Sequence, residues 1–517
     1  MKKQLVYLLT GWLMCGMGLQ AKAQVEPLFT YKISRDEACN RWVESQMKQM
    51  NLREKIGQLF IYTIAPDRSK RNLALLKNVV HTHKVGGLLF SGGKLDNQAL
   101  LTNQAQKMAD VPLMITFDGE WGLSMRLRGT PVFPKNMVLG CIQDDRLIYE
   151  YGQEMARQCR ELGVQVNFAP VADVNINPQN PVINVRSFGE NPLLVADKVI
   201  AYASGLESGR VLSVAKHFPG HGDTDVDSHK ALPVLPFTRE RLDSVELYPF
   251  RKLIHAGLGG VMVGHLQVPV FEPIGKLPSS LSRNVVYTLL TEKMAFKGLI
   301  FTDALAMKGV SSAQKVCLQA LKAGNDVVLA PRDVKKEIDY VVEAVKKGEF
   351  SEEEIDERCR KVLLFKYAMG LNRKPVVRLS GLERRINTPH TRDLIRRLNL
   401  AAVTVLNNEK GVLPIHPDVK KVAVLTVGKA KELEAFTNEL KKYVEVHTFE
   451  LGKQMPDSLQ QKLRDSLSAY RRIIVPVNEI RLAPYQSFFA KFAPQVPVVY
   501  AFFTPAKLML QIHRAIS

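Results

Sequence analysis

The stretch Leu299-Ile300-Phe301-Thr302-Asp303-Ala304-Leu305-Ala306-Met307 begins as an apolar run and breaks on an aspartate. Its apolar residues are continuous rather than alternating. That is the pattern of a strand covered on both faces in a parallel sheet. Working outward from 298–303, seven further runs of this kind occur, at 58–64, 85–91, 112–118, 164–170, 212–217, 259–265 and 326–331. Amphipathic stretches such as 147–162 and 284–296 lie between several of them. Eight βα units in succession predict a (β/α)8 TIM-like barrel, here over residues 35–370. Asp118, Asn167, Lys216, His217, His265 and Asp303 each stand at or near the C-terminal end of a run. Barrel enzymes place their chemistry on that face, where the βα loops converge.

Beyond the barrel, residues 371–395 are polar and weakly patterned and are expected to form a linker, with helical patterning resuming near Thr391. Residues 396–517 carry apolar runs at 422–427, 444–449, 473–477 and 496–503, separated by helical stretches at 429–442 and 457–470. This predicts a partial doubly wound α/β sandwich domain. Such a domain usually holds about five or six strands. With four, it is expected to be incomplete, leaving a sheet edge or apolar surface near 496–503.

The N-terminus reads as an export signal over residues 1–23: basic Met1-Lys2-Lys3, an apolar stretch at 5–19, and Ala21-Lys22-Ala23 before the cut. The protein is therefore expected in the periplasm or outside the cell. Met14 before Cys15 argues against lipid attachment. No later stretch is apolar for long enough to span a membrane. With 46% hydrophobic and 24% charged residues, the chain can build a sizeable core. The net charge of +20 comes from dispersed Lys and Arg, without runs interleaved with aromatics. It is read as a solvated basic surface, and nucleic acid is excluded as a partner. The six cysteines include no CxxC pair, so neither a disulfide framework nor a zinc site is expected.

The densest polar segment is Lys216-His217-Phe218-Pro219-Gly220-His221-Gly222-Asp223-Thr224-Asp225-Val226-Asp227-Ser228-His229. Three readings compete for it. Metal binding is disfavoured, because the spacing matches no HExxH pattern and Lys216 opposes a cation. A hydrogen-bonded Gly/Pro loop accounts for His221 and Asp223 as well as any function does. The third reading is acid/base chemistry. Asp227 is one residue removed from His229, where a carboxylate can fix the imidazole tautomer and support its positive charge. Asp303 at a strand end can attack an anomeric carbon, although read locally it fits an N-cap slightly better. Asp118 can accept from two sugar hydroxyls, and Trp121 can stack on a ring or be a bystander.

Together these segments resemble glycoside hydrolase family 3, in its bacterial β-N-acetylglucosaminidase branch. Residues 216–229 match that branch's loop pattern K-H-F-P-G-H-G-x-T-x-x-D-S-H. Asn167-Phe168-Ala169-Pro170-Val171-Ala172-Asp173-Val174, Arg186-Ser187-Phe188-Gly189 and Thr302-Asp303-Ala304-Leu305-Ala306-Met307 also match, and residues 401–415 resemble the entry into the second domain. The resemblance implies Asp303 as nucleophile and His229 as acid/base with Asp227 as its partner. It implies Asp118, Arg186, Lys216 and His217 as the residues holding the terminal sugar, with no metal and no cofactor. One departure is Glu120-Trp121-Gly122-Leu123, where the branch usually has Glu-Gly-Gly-Arg. The implied activity is retaining release of terminal N-acetylglucosamine from an oligosaccharide. The alternatives within the family are a β-N-acetylglucosaminide phosphorylase and a β-glucosidase. Retaining hydrolysis normally uses two carboxyl groups about 5 Å apart. A histidine in place of one, with an ordinary pKa of about 6.5, needs little tuning, and when neutral it repels an anionic acceptor less.

Overall fold

The computed structural model describes residues 36–227, 231–310, 313–408, 411–479, 483–492 and 496–503. The export signal and His229 lie outside the described residues. The chain forms two compact units that divide after Ala402.

Each of the eight predicted runs contains a strand: β1 Phe60–Ile64, β2 Gly87–Phe90, β3 Met114–Phe117, β4 Val166–Asn167, β5 Leu212–Phe218, β6 Gly260–Val263, β7 Leu299–Thr302 and β8 Val328–Leu329. All pairings are parallel, in the order β8-β1-β2-β3-β4-β5-β6-β7. A parallel bridge between Phe301 and Val327 closes the ring. The interior is filled rather than open: the Phe168 and Phe301 rings meet edge to face, 5.6 Å between centroids.

The surrounding helices start where the sequence provides caps. Asn51 forms a capping box with Glu54, and Asp144 and Asn191 cap the helices Asp145–Glu161 and Pro192–Ser208. These two helices cross at Gly152 and Gly205. A Cβ on Gly152 would lie 2.4 Å from the Tyr202 carbonyl oxygen, so only glycine permits the approach.

The expected linker is folded onto the barrel. Residues 371–401 carry the helices Leu382–Ile386 and Pro389–Ala401. Thr391 Oγ1 donates to Glu154 at 2.6 Å, and Arg157 donates to the carbonyl of Arg385. These anchors are single polar side chains, which hydrophobic periodicity does not register.

The second unit holds a parallel sheet of β9 Lys421–Val427, β10 Glu445–Leu451, β11 Ile473–Val477 and β12 Val498–Phe502, in the order β10-β9-β11-β12. Along β9, Val422 and Val424 face one core while Ala423, Leu425 and Val427 face the other, as a doubly wound sheet requires. In the described sheet β12 is an edge strand, and its residues are half-exposed. No helix among the described residues is long and apolar enough to cross a membrane. Cys39, Cys159, Cys317 and Cys359 are buried free thiols, and Cys141 is an exposed one.

Two buried ionisable groups give the barrel a pH signature. Glu207 accepts from Ser213 Oγ and from the Gly259 amide, yet burial pushes its carboxyl up to about 7 from 4.5. Lys366 donates to Gln58 Oε1 at 2.7 Å, and burial pushes its ammonium down to about 7 from 10.5. A raised carboxyl favours the fold below pH 4.5, and that contribution is lost as pH rises to 7. A depressed amine favours the fold above pH 10.5, and that contribution is lost as pH falls to 7. The two penalties therefore meet near neutrality, each worth about 3–5 kcal/mol. Glu207→Gln should flatten the acid side of a urea-unfolding stability profile, and Lys366→Met the alkaline side. Profiles parallel to that of the unaltered protein would contradict the assignment.

Candidate active site

The site is assembled from residues just past the strand ends. Asn167 closes β4 and clamps the turn after β3: its Oδ1 accepts from the Gly119 amide at 2.9 Å and its Nδ2 donates to the Gly119 carbonyl. This turn presents Asp118 and Glu120 to the barrel mouth. On β5, pairing with β6 shifts register between Ala215 and Phe218, so Lys216 and His217 stand together opposite Met262. The bulge re-aims side chains that a regular strand would send to opposite faces.

One buried ion cluster results. The Lys216 ammonium lies 3.1 Å from Asp118 and 2.8 Å from Glu120. Arg186 grips Glu120 through Nε and Nη2, at 2.9 and 2.8 Å, and Arg126 pairs with Asp118 at 2.8 Å. Burial alone would raise Glu120, but Arg186 and Lys216 hold it well below the usual carboxylate range. Burial would likewise lower Lys216, and Glu120 and Asp118 more than reverse that. Lys216 keeps one ammonium hydrogen beyond these two pairs, and the Arg186 Nη1 arm makes only a 3.4 Å contact with the Val182 carbonyl. Those donors, with the partly exposed Asp118 carboxylate, can address sugar hydroxyls.

His217 stands beside the ion cluster, in contact with Arg186. The ring faces Asp173 through Nδ1 at 2.7 Å and Arg186 through Nε2 at 3.3 Å. Both ring nitrogens are thus engaged by protein. Asp173 also accepts from the His217 and His221 amides, at 3.1 and 2.7 Å. Burial, which opposes its ionisation, is outweighed by His217 and these bonds, so its carboxyl stays below the usual value. His221 is buried against Thr224, and burial pushes its imidazole down to about 4.

Asp303 follows β7. Its amide donates to the Val263 carbonyl at 2.9 Å, and its Oδ1 accepts from the Ala304 amide at 2.7 Å. A capping carboxylate accepts from the second or third residue on, and the next α-helix begins only at Val316. The N-cap reading of Asp303 is therefore not what the fold uses. Burial would raise its carboxyl, but His265 first, then His217 and Lys216, hold it below the usual range, so it is ionised. Asp227 is half-buried, and its carbonyl accepts from the Ala231 amide at 3.0 Å. Trp121 carries the Lys135 ammonium over its ring at 5.2 Å, and Leu123 is buried.

Strand-end position singled out Asp118, Asn167, Lys216, His217, His265 and Asp303, and the family resemblance added Arg186; the structure joins Asp118, Lys216, Arg186 and His217 in one contact network through Glu120. Sequence reasoning missed Glu120, Asp173 and Arg126 as working parts of the site. Asp173 had one signal, an acidic residue just beyond an apolar run. Glu120 had its spacing of two from Asp118.

Residues 51–365 match the glycosyl hydrolase family 3 N-terminal domain. The chain is 30% identical over 391 residues to β-hexosaminidase A of Pseudoalteromonas piscicida, an alignment covering 69% of this chain and 65% of that protein. It is 34% identical over 331 residues to β-hexosaminidase LpqI of Mycobacterium tuberculosis, covering 61% of this chain and 82% of that one. Among solved structures, it resembles a family 3 β-N-acetylglucosaminidase from Paenibacillus sp. str. FPU-7 with a TM-score of 0.71 and 31% identity, covering 88% of this chain and 90% of that one. The domain match takes in all eight barrel strands and every described residue of the site, so the chain belongs to glycosyl hydrolase family 3.

Proposed function

We propose that the protein is an exported, retaining exo-β-N-acetylglucosaminidase that releases terminal N-acetylglucosamine from cell-wall or chitin-type oligosaccharides. The observation that carries this reading is Asp303, a buried carboxylate held just past the end of β7 by the Val263 carbonyl and the Ala304 amide, with His265 and Lys216 among the groups that favour its charged form. The names of the relatives support the choice of sugar.

In this reading Asp118 accepts from hydroxyls of the terminal sugar, while Lys216 and Arg186 donate to it. His217, set between Asp173 and Arg186, completes the group that holds the sugar. Asp303 attacks the anomeric carbon as the bond to the leaving oxygen breaks, and His229, charged beside Asp227, gives that oxygen its proton. The glycosyl–Asp303 ester is then opened by water, whose proton passes to the now neutral His229. Two inversions leave the sugar with its original configuration.

Product analysis on N-acetyl-β-glucosaminides, with and without inorganic phosphate, tests the reading. The expected product is free β-N-acetylglucosamine in both buffers. A sugar 1-phosphate as main product, or faster turnover of β-glucosides, would overturn it. His229→Ala should slow glycosides with poor leaving groups by on the order of 10²–10⁴-fold, and an activated aryl glycoside far less in its first step. Equal losses on both would remove His229 from the proton-donor role. Asp227→Ala should give a milder form of the same pattern.

A further inference from the structure

The segment that follows β5 leaves the barrel at Pro219 and carries Asp227. Its return end is pinned to the residue Gln267, whose amide donates to Pro233 and whose carbonyl accepts from Leu235, both at 2.8 Å. Its outgoing end is held on the inner side by the β4 loop: Asn180 Nδ2 donates to the His221 carbonyl at 2.8 Å, and Asn177 Nδ2 to that of Thr224 at 3.2 Å. Arg241 holds the same stretch from the other direction. Arg241, in the helix Arg239–Ser244, donates from Nη2 to Asp223 at 2.9 Å and from Nη1 to both oxygens of Glu246. The Phe237 ring lies under the guanidinium, 4.6 Å from its carbon. Glu246 is itself buried, and its side chain packs so closely on Gly220 that a Cβ there would come within 2.7 Å.

From this geometry we infer that Arg241 is a positioning residue for catalysis, fixing the point from which the segment delivers Asp227 to the reaction centre. The inference rests on the proposed role of Asp227. Asp223 precedes Asp227 by four residues, and so short a tether reaches at most about 14 Å. Moving its fixed end moves Asp227. A misplacement of about 1 Å in a proton-transfer group costs on the order of 100-fold in rate. The planar fork is what lets one cation bind Asp223 and Glu246 together while lying flat on Phe237. Lysine, a point charge, cannot reproduce that.

The test uses the full chain with Arg241→Gln, Arg241→Lys and Asp223→Asn, assayed on aryl N-acetyl-β-glucosaminides with good and poor leaving groups. Arg241→Gln should lose about 10- to 100-fold in kcat on the poor leaving group. It should lose little on the good one, and KM should stay within about threefold. Arg241→Lys should fall between it and the unaltered protein. Asp223→Asn removes the charge from the same bond on the loop side and leaves the Arg241–Glu246 pair intact, so it gives a smaller readout of the same kind if Arg241→Gln fails to fold. Combined with Asp227→Ala, Arg241→Gln should add much less than its single effect. Equal losses on both substrate classes, full additivity, or unaltered kcat would overturn the inference. Asp227→Ala alone separates the two layers. If it lacks leaving-group dependence, the acid/base reading falls and takes Arg241's role with it. If it shows that dependence and Arg241→Gln does not, only the Arg241 assignment falls.

Discussion

Asp303→Asn is expected to abolish turnover, with a loss on the order of 10⁴-fold or more, while the barrel stays folded. An amide cannot form the glycosyl ester, so the loss should fall on kcat for good and poor leaving groups alike. That distinguishes it from the pattern expected for His229. The fold should survive because the Asp303 contacts are backbone ones that asparagine keeps. The amide bond to Val263 is untouched, and the Oδ1 that accepts from Ala304 has an equivalent in the new side chain. The thermal midpoint is the control. Asp303→Gly with azide and an activated β-glycoside supplies the complementary measurement. A small anion in the vacated space should attack the face the carboxylate used and give the α-glycosyl azide. Near-normal activity in Asp303→Asn, or a β-configured azide adduct, would remove Asp303 as nucleophile.

Glu120→Gln should produce the largest stability loss of any single change in the site. Glu120 is almost fully buried and compensates Lys216 and Arg186 at once. Removing its charge leaves Lys216 with Asp118 alone and strips Arg186 of its bidentate partner. Breaking a buried pair from one side costs about 3–5 kcal/mol, because a desolvated charge is left behind. In a barrel of this size that lowers the thermal midpoint by roughly 4–7 °C. Glutamine keeps the volume, so the loss reports charge rather than packing. The released Lys216 ammonium should turn fully to Asp118, occupying the carboxylate proposed to receive sugar hydroxyls and raising KM. A variant with unaltered midpoint and KM would show that the cluster stabilises neither the fold nor the sugar site.

The barrel was legible because its signal is local. Eight continuous apolar runs each needed only four to eight neighbours to be read, and Asp118, Lys216 and Asp303 declared themselves by standing at the ends of runs. What pairs with what was not legible. Glu120 and Arg186 are 66 residues apart, and Asp173 and His217 are 44 apart. Nothing in either local pattern says that the chain brings them within hydrogen-bond reach. Successive residues Lys216 and His217 also violate strand alternation, and only the bulge opposite Met262 explains how both join the site. The helical stretch expected over 284–296 is a π-helix at Asn284–Lys293, a winding that apolar spacing does not separate from an α-helix. The barrel-hugging segment 371–401 was obscured because its grip depends on Thr391 and Arg157 rather than on an apolar stripe.

The residues proposed to hold the sugar and to form the ester sit on β5, just past β3 and β7, and in the loop after β4, whereas Asp227 sits on an excursion fastened at its two ends. Recognition of the departing sugar and handling of the proton thus belong to separate pieces of chain. An evolving gene can lengthen, shorten or recompose the excursion beyond Thr224, and so change which alcohol leaves or which acceptor arrives, while the His221 amide keeps its hold on Asp173 behind the proposed sugar pocket. Conversely, a version with the excursion cut away is expected to keep its grip on N-acetylglucosamine and behave as a lectin.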